Sequence, residues 1–485
     1  MNKASVPIYD VVIIGAGLSG ICAAYHIQDK CPDKSFIVLE GRGATGGTWD
    51  LFKYPGIRSD SDMYTLGYSF FPWKNPKAIA DGPSILQYIK DTAKEFNLDS
   101  KIKYNHKVAS ADWKDEEELW TLGIHGHEDV AHPQLKTRFL FCCSGYYNYK
   151  EGHAPTFEGS ENFRGKIIHP QHWDTSLDYS GKKIVVIGSG ATAVNLVPEL
   201  AKKASQVTML QRSPTYIYNL PSEDVIANFL KKILPAKTAH NLVKWKNILL
   251  GILIYTLCRK WPNMMKNFFK KSAKKELGNN YKEKDFDPKY NPWDQRLCLI
   301  PDSDLFLAVK NGNANIVTDT IQEFTKNGIL LNSGKELEAD IIVTATGLKI
   351  QILGGMTSKI NGVPINSGEL KAYKGVMFSD VPNLALAIGY TNASWTLKCD
   401  LNCQYVARLL NYMDKNNFNV IRPRFDDSEF DVEPLLDFNS GYVIRANDVL
   451  PKQGSKAPWK VYQNYIKDVR SLKYGSVEDK YLEYS

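Results

Sequence analysis

Short apolar runs closed by glycine recur along the chain, and two of them share one local grammar. Tyr9 to Ile14 (YDVVII) reads as a strand, ends at Gly15-Ala16-Gly17-Leu18-Ser19-Gly20, and is followed at once by the helix-compatible stretch Ile21 to Gln28. Lys183 to Ile187 (KIVVI), preceded by the turn residues Tyr179-Ser180-Gly181, ends at Gly188-Ser189-Gly190-Ala191-Thr192-Ala193, and a helix is predicted from Ala193 to Lys203. The pattern predicts an α/β fold with two Rossmann-like dinucleotide-binding domains whose glycine signatures lie 173 residues apart.

Each signature has a chemical reason. Gly15 permits the tight turn, Gly17 lets the backbone approach a pyrophosphate, and Gly20 lets the helix lie close to the strand while its N-terminus faces phosphate charge. The next apolar run, Phe36 to Leu39, ends in Glu40, a carboxylate placed to accept hydrogen bonds from an adenosine ribose. After the second signature the strand Gln206 to Leu210 leads into Gln211-Arg212-Ser213. An arginine where an NAD site offers an acid favours the 2'-phosphate of NADPH, because its fork pairs two phosphate oxygens; the alternative is a solvated surface arginine. Two dinucleotides on one chain suggest FAD fixed in the first site and taking a hydride from NADPH in the second.

Further runs suggest an interrupted first domain. Phe141 to Gly145 marks a return toward a hinge, and Ala339 to Gly347 and Pro382 to Gly389 (PNLALAIG) read as later strands of the flavin-binding half. The predicted division is a first FAD part over 1–146, an NADPH domain over 147–213 and 291–338 inserted in it, a helical excursion or lid over 214–290, and a second FAD part with a C-terminal extension over 339–485. Inside the excursion lies Ile248 to Cys258 (ILLGILIYTLC), flanked by Trp245 and Trp261. Eleven residues fall short of the roughly 20 needed to span a bilayer, which leaves a buried core helix, a lid over the substrate entrance, or an in-plane peripheral membrane contact.

The net charge of +7 is concentrated after this run, where Arg259 to Lys284 holds nine Lys/Arg against Glu276 and Glu283. No nucleic-acid-binding module accompanies it, so nucleic acid is not an expected partner. At 485 residues and 43% apolar content the chain can fill the cores of two or three domains. The eight cysteines show no metal-like spacing, so no metal is expected, and most read as buried thiols of a reducing compartment. The first strand starts close to Met1, which makes a cytoplasmic location the simplest expectation. Oligomeric state stays open.

Phe163-Arg164-Gly165-Lys166-Ile167-Ile168-His169-Pro170-Gln171-His172-Trp173-Asp174 matches F-x-G-x-x-x-H-x-x-x-W-[PD] just ahead of the second signature, and in this it resembles the Baeyer–Villiger monooxygenases. Gly46-Gly47-Thr48-Trp49 with Tyr54-Pro55-Gly56-Ile57-Arg58-Ser59-Asp60 is similar to the flavin-domain segment of that family. The resemblance spans nearly the whole chain; Tyr390-Thr391-Asn392-Ala393-Ser394-Trp395-Thr396 places it nearest the branch of ethionamide-activating monooxygenases. It implies a catalytic pair, Arg296 supporting the oxygen adduct of the flavin and Asp60 orienting that arginine beside the flavin. It also implies Thr192 and Arg212 on NADPH phosphates and Ser213 at its adenosine end. His169 reads as a structural link between nicotinamide binding and domain arrangement, not as a general base.

One departure bears on the cofactor. Many members carry Lys before the catalytic arginine, where this chain has Gln295, so Arg212 would bear more of the phosphate selectivity. The implied reaction inserts one oxygen atom of O2 into a small hydrophobic ketone to give an ester or lactone, with sulfides or thioamides as further substrates. A flavin-containing N- or S-monooxygenase is the alternative. A disulfide reductase is disfavoured, since no Cys-x-x-Cys or Cys-x4-Cys pair stands beside the first flavin segment.

Overall fold

The computed structural model describes residues 6–125, 134–436 and 440–485. Among them, nine strands make a first sheet whose parallel centre is Ile8–Ile14, with Phe36–Leu39 on one side and Gln134–Cys142 on the other. Val11 to Ile14 are all buried, as a central parallel strand requires, which is why the run shows no polar alternation. The chain leaves this strand first toward one side and later toward the other. That reversal opens a crevice at the carboxyl end of Ile14, where the first glycine turn sits. The late strand Leu384–Leu386 pairs with Gln134–Cys142 and so completes the first sheet, as the sequence predicts.

A second sheet of five parallel strands runs Ala314–Thr318, Gln206–Gln211, Lys183–Ile187, Ile341–Thr344, Lys166–Ile168 among the described residues. Its switch point lies at the end of Ile187, above the second glycine turn. Here one expectation is corrected. Ile341–Thr344, read from sequence as part of the flavin-binding half, pairs with Lys183–Ile187 in the second sheet. A short fully buried run looks the same in any parallel sheet, and only its pairing decides where it belongs. The chain passes between the sheets through Tyr147–Gly152 and Leu348–Ile350, which pair with each other as an antiparallel two-strand hinge.

The first turn's helix, Leu18–Lys30, packs on the long helix Trp395–Lys415. His26 Nε2 lies 2.7 Å from Asp400 Oδ1, with both side chains buried, and Ser69 donates to Asp400 Oδ2 at 2.9 Å. Burial alone lowers the pKa of a histidine; here the hydrogen bond and charge of Asp400 overcome it and raise His26 to about 10. Burial likewise acts to raise Asp400, and the His26 contact holds it far below the usual carboxylate range. Cys22 comes near this pair, within 4.8 Å among ligand atoms, but the direct His26–Asp400 contact makes the cluster an ion pair. All eight cysteines are buried free thiols.

The excursion folds as three consecutive helices, Val225–Ile233, Ala236–Lys260 and Pro262–Leu277. A parallel strand pair, Ile217–Leu220 with Cys298–Pro301, frames it. Pro262 stands at the first position of the third helix, where its missing N–H costs nothing. The run Ile248 to Cys258 buries only its two end residues, so it is not a core helix.

Candidate active site between two dinucleotide cradles

A cavity of about 770 Å³ opens at the first switch point and reaches to the second domain. Its wall includes Gly15, Gly17, Glu40, Thr48, Trp49 and Asp60 from the first half, and Thr192 and Arg296 from the insert. Eight of the sequence-predicted site residues therefore share one cavity. Gly20 lies beneath it as packing: a Cβ there would fall 1.7 Å from the Gly15 carbonyl oxygen. Gly188, Gly190, Arg212 and Ser213 lie outside it, around the second turn.

Glu40 is buried and already oriented. Its Oε2 accepts from Ala16 N at 2.7 Å and its Oε1 from Arg42 N at 2.9 Å. Burial raises its pKa, and those two backbone donors act against the rise. A carboxylate oxygen has lone pairs for more than one donor, so the ribose contact expected from sequence remains open to it. Beside it Arg42, which the sequence reading missed, donates to Asp50 Oδ2 at 2.7 Å and to Gly47 O at 3.2 Å. Its place two residues after the terminal acid of the strand was the available signal.

The Tyr54-to-Asp60 loop joins the halves. Gly56 adopts φ +77°, and a Cβ on it would sit 2.4 Å from Asn195 O, so only glycine lets the loop lie against the second turn's helix, Ala191–Leu200. Arg58 forms an ion pair with Asp304, across the same junction. The loop thereby delivers Asp60 to Arg296: Nε to Oδ2 is 3.0 Å and Nη2 to Oδ1 is 3.1 Å, a bidentate pair. Arg296 itself is placed just ahead of the strand Cys298–Pro301.

At the second turn, Gln211 Nε2 donates to Thr318 Oγ1 at 2.8 Å and to Asp285 O at 2.9 Å, which fixes the strand end from which Arg212 and Ser213 project exposed. His169 is engaged at both ring nitrogens, Nδ1 accepting from Gln171 N at 3.2 Å and Nε2 facing Gly347 O at 3.2 Å in the hinge. That assigns the proton to Nε2. Burial lowers its pKa, in keeping with an Nδ1 that accepts a hydrogen bond. Trp173 is buried against the second core.

Profile comparison matches residues 9–413 to the family described as "Flavin-binding monooxygenase-like". The chain belongs to that family. The FAD-containing monooxygenase EthA of Mycobacterium tuberculosis (strain ATCC 25618 / H37Rv) is 53% identical over 478 residues, covering 98% of this chain and 97% of its own. The probable FAD-binding monooxygenase AlmA of an Acinetobacter species is 48% identical over 477 residues, covering 98% and 96%. Among solved structures, oxidized steroid monooxygenase bound to NADP superposes with a TM-score of 0.76 at 21% identity, covering 98% of this chain and 99% of that one, a likeness of fold. The protein is an NADPH-dependent flavoprotein monooxygenase using FAD and NADPH.

The cradles fit those cofactors on their own terms. At the monooxygenase's first turn Gly20 packs directly on the Gly15 backbone, and Glu40 holds the turn through Ala16 N, both beside the cavity. Ser144 Oγ, in the cavity wall, is buried with no hydrogen-bond partner among the described residues, a polar atom left for a bound group. Trp395, quoted in sequence but given no role, donates from Nε1 to Ser19 Oγ at 2.9 Å and stacks on Tyr146 at 4.8 Å, which makes a rigid aromatic wall. No residue pattern along the chain foretold that pairing of positions 146 and 395.

Proposed function

We propose that this monooxygenase transfers one oxygen atom of O2 to a soft heteroatom of a small apolar substrate, a sulfide or thioamide sulfur. NADPH supplies the two electrons and the second oxygen leaves as water. The observation that carries the reading is the aromatic wall of Tyr146, Tyr390 and Trp395 in the cavity that holds the Arg296–Asp60 pair, while His169 lies outside that lining and is engaged at both ring nitrogens. A soft sulfur is itself the nucleophile, so the site must seat an apolar group and exclude water but needs no general base.

In this reading bound FAD supplies hydride acceptance and oxygen activation. Gly15, Gly17, Gly20 and Glu40, with Thr48, Trp49 and Asp60 alongside, hold it. Gly188, Gly190, Thr192, Arg212 and Ser213 hold NADPH. The flavin domain comprises residues 1–146 and the chain after Thr344, and 214–290 is an excursion of the NADPH domain. Arg296, oriented by Asp60, presents positive charge where the oxygen is transferred. Buried free thiols support a reducing, cytoplasmic setting.

Ketone insertion is a second reading, favoured by the same Arg296–Asp60 pair. A ketone gathers negative charge on its oxygen as it reacts, and a guanidinium can meet that charge. The two separate by product analysis with FAD-loaded protein, NADPH and isotope-labelled O2 on methyl phenyl sulfide, phenylacetone and octan-2-one. Labelled sulfoxide with little ester is the expected result. Labelled ester as the main product would make ketone insertion the primary activity, and NADPH oxidation without labelled product would refute both.

A further inference from the structure

The three-helix excursion is inverted with respect to ordinary surface helices. On Val225–Ile233 the exposed positions include Val225, Ile226, Phe229 and Ile233, and only Ala227 is buried. On Ala236–Lys260 the stripe Leu242, Trp245, Leu249 and Leu253, at helical spacing, faces solvent, and it ends one face-repeat later in Lys260. On Pro262–Leu277 Met264 and Phe268 are exposed after Trp261, and the same spacing continues into exposed Lys271 and Lys275. Consecutive helices touch, so the three stripes stand on one packed helical unit.

The apolar stripe of the middle helix cannot be hidden by rotating it, because its inner face is already committed. Val243 and Ile248 are packed there, and His240 and Lys244 are buried. Residues 225–277 contain twelve Lys/Arg against the single acid Glu276. Apolar stripes that include tryptophan, with lysines continuing the same face, are complementary to an anionic lipid surface. No helix among the described residues is long and apolar enough to cross a membrane, so the contact lies in plane.

We propose that this excursion docks on an anionic lipid surface, with the apolar stripes of its helices below the headgroups and Lys260, Lys271 and Lys275 at the lipid phosphates. The position has a functional consequence. The inner residues Ile248 and Ile252 of the middle helix pack on Tyr390 and Ala393, which line the cavity. One helix diameter, about 10 Å, therefore separates lipid from the substrate cavity. Docking would present that cavity to bilayer-dissolved apolar substrates, a consequence that rests on the function proposed above; the docking itself does not.

Flotation of the FAD-loaded enzyme with phosphatidylcholine vesicles, with and without phosphatidylglycerol, tests the proposal. Enzyme should float with the anionic vesicles and not the neutral ones, and release as salt rises. The variant K271E/K275E should lower that partition by ~10-fold or more, and L249S/L253S/F268S should abolish it. Flavin content and NADPH oxidation in vesicle-free buffer should match wild type in both, which shows that neither variant is misfolded. Equal flotation on both vesicle types, or none on either, would overturn it. So would a dimer by light scattering that L249S/L253S/F268S dissociates, since a second copy would then cover the stripes.

Discussion

The two cradles are written in one grammar but closed to different degrees. In the first, Gly15 and Gly20 lie so close to Cys143 and to each other that no Cβ fits, and Glu40, 6% exposed, has both carboxylate oxygens fixed by backbone donors. In the second, Gly188 is as tight, its Cβ position 2.4 Å from Ala345 O, but a Cβ on Gly190 would meet nothing within 4 Å, and Arg212 stands exposed. A site ordered before binding holds its cofactor as a resident part, because little freedom is lost when the cofactor enters. An open site must order its charged groups on each visit, which suits a cofactor that comes and goes with every turnover. On the proposed reading the first cradle suits FAD and the second NADPH.

Replacing one glycine in each turn, the packed Gly20 and the open Gly190, is the strongest way to break the comparison. Gly20→Val sets side-chain atoms against the Gly15 backbone, where even a Cβ would fall 1.7 Å from the carbonyl oxygen, so the turn itself must open. Flavin bound per protein should fall to near zero. Gly190→Ala has open space and φ −78°, so flavin loading should be unchanged and only the NADPH KM should rise. Equal flavin loss in both variants would show that the cradles are not differently closed.

The next effect comes from the anchor behind the first cradle. His26 on the first turn's helix and Asp400 on Trp395–Lys415 form a buried pair, and removing one partner of such a pair costs about 3–5 kcal/mol. Asp400→Asn should lower Tm and release flavin on heating, with no change in NADPH KM. The pH dependence has a definite sign. His26 is raised from 6.5 to about 10 in the fold, so its contribution is complete below about pH 6.5 and is lost as pH rises toward 10. The Tm gap between wild type and Asp400→Asn should narrow across that window; a constant gap would show that the pair does not titrate there.

Between the cradles stands the Arg296–Asp60 pair. Arg296→Ala should leave flavin content intact and NADPH oxidation measurable while oxygen transfer to sulfide or ketone falls by about 10²–10³, the loss typical of one charge-stabilising donor. Normal product formation by this variant would remove Arg296 from the proposed chemistry.

How far the sequence foretold these features depends on how local each one is. The strand-turn-helix units were readable because a turn, an apolar strand and a helix start are contiguous, and Lys183–Ile187 has the bounds expected of it. The positions of Glu40 and Arg212, each just past a strand end, were readable because each follows its turn at a fixed distance. What failed was non-local. Ile341–Thr344 was put in the wrong sheet because pairing partners leave no mark in a buried run, and the Trp395–Tyr146 wall joins positions 249 residues apart. The apolar run of the excursion stayed open among core helix, lid and membrane contact for the same reason: periodicity shows that one face is apolar, not which way that face points.

The smallest expected effect is also the one that separates the two cradles most cleanly by chemistry. Arg212 extends exposed from a strand end held by Gln211, so its loss leaves no buried charge and should not touch the fold or the flavin. If its guanidinium meets the 2'-phosphate of NADPH, Arg212→Ala forfeits one charge-assisted contact, about 1.5–3 kcal/mol at most. The NADPH KM should then rise by ~10-fold or somewhat more while the NADH KM stays put, so the preference for NADPH shrinks by the same factor. On that reading the uncharged Gln295 beside Arg296 shares none of the load, and Arg212 carries the larger part of the discrimination. An unchanged NADPH-to-NADH ratio would mean that the second cradle reads its phosphate elsewhere, and that openness at Arg212 is only a solvated surface.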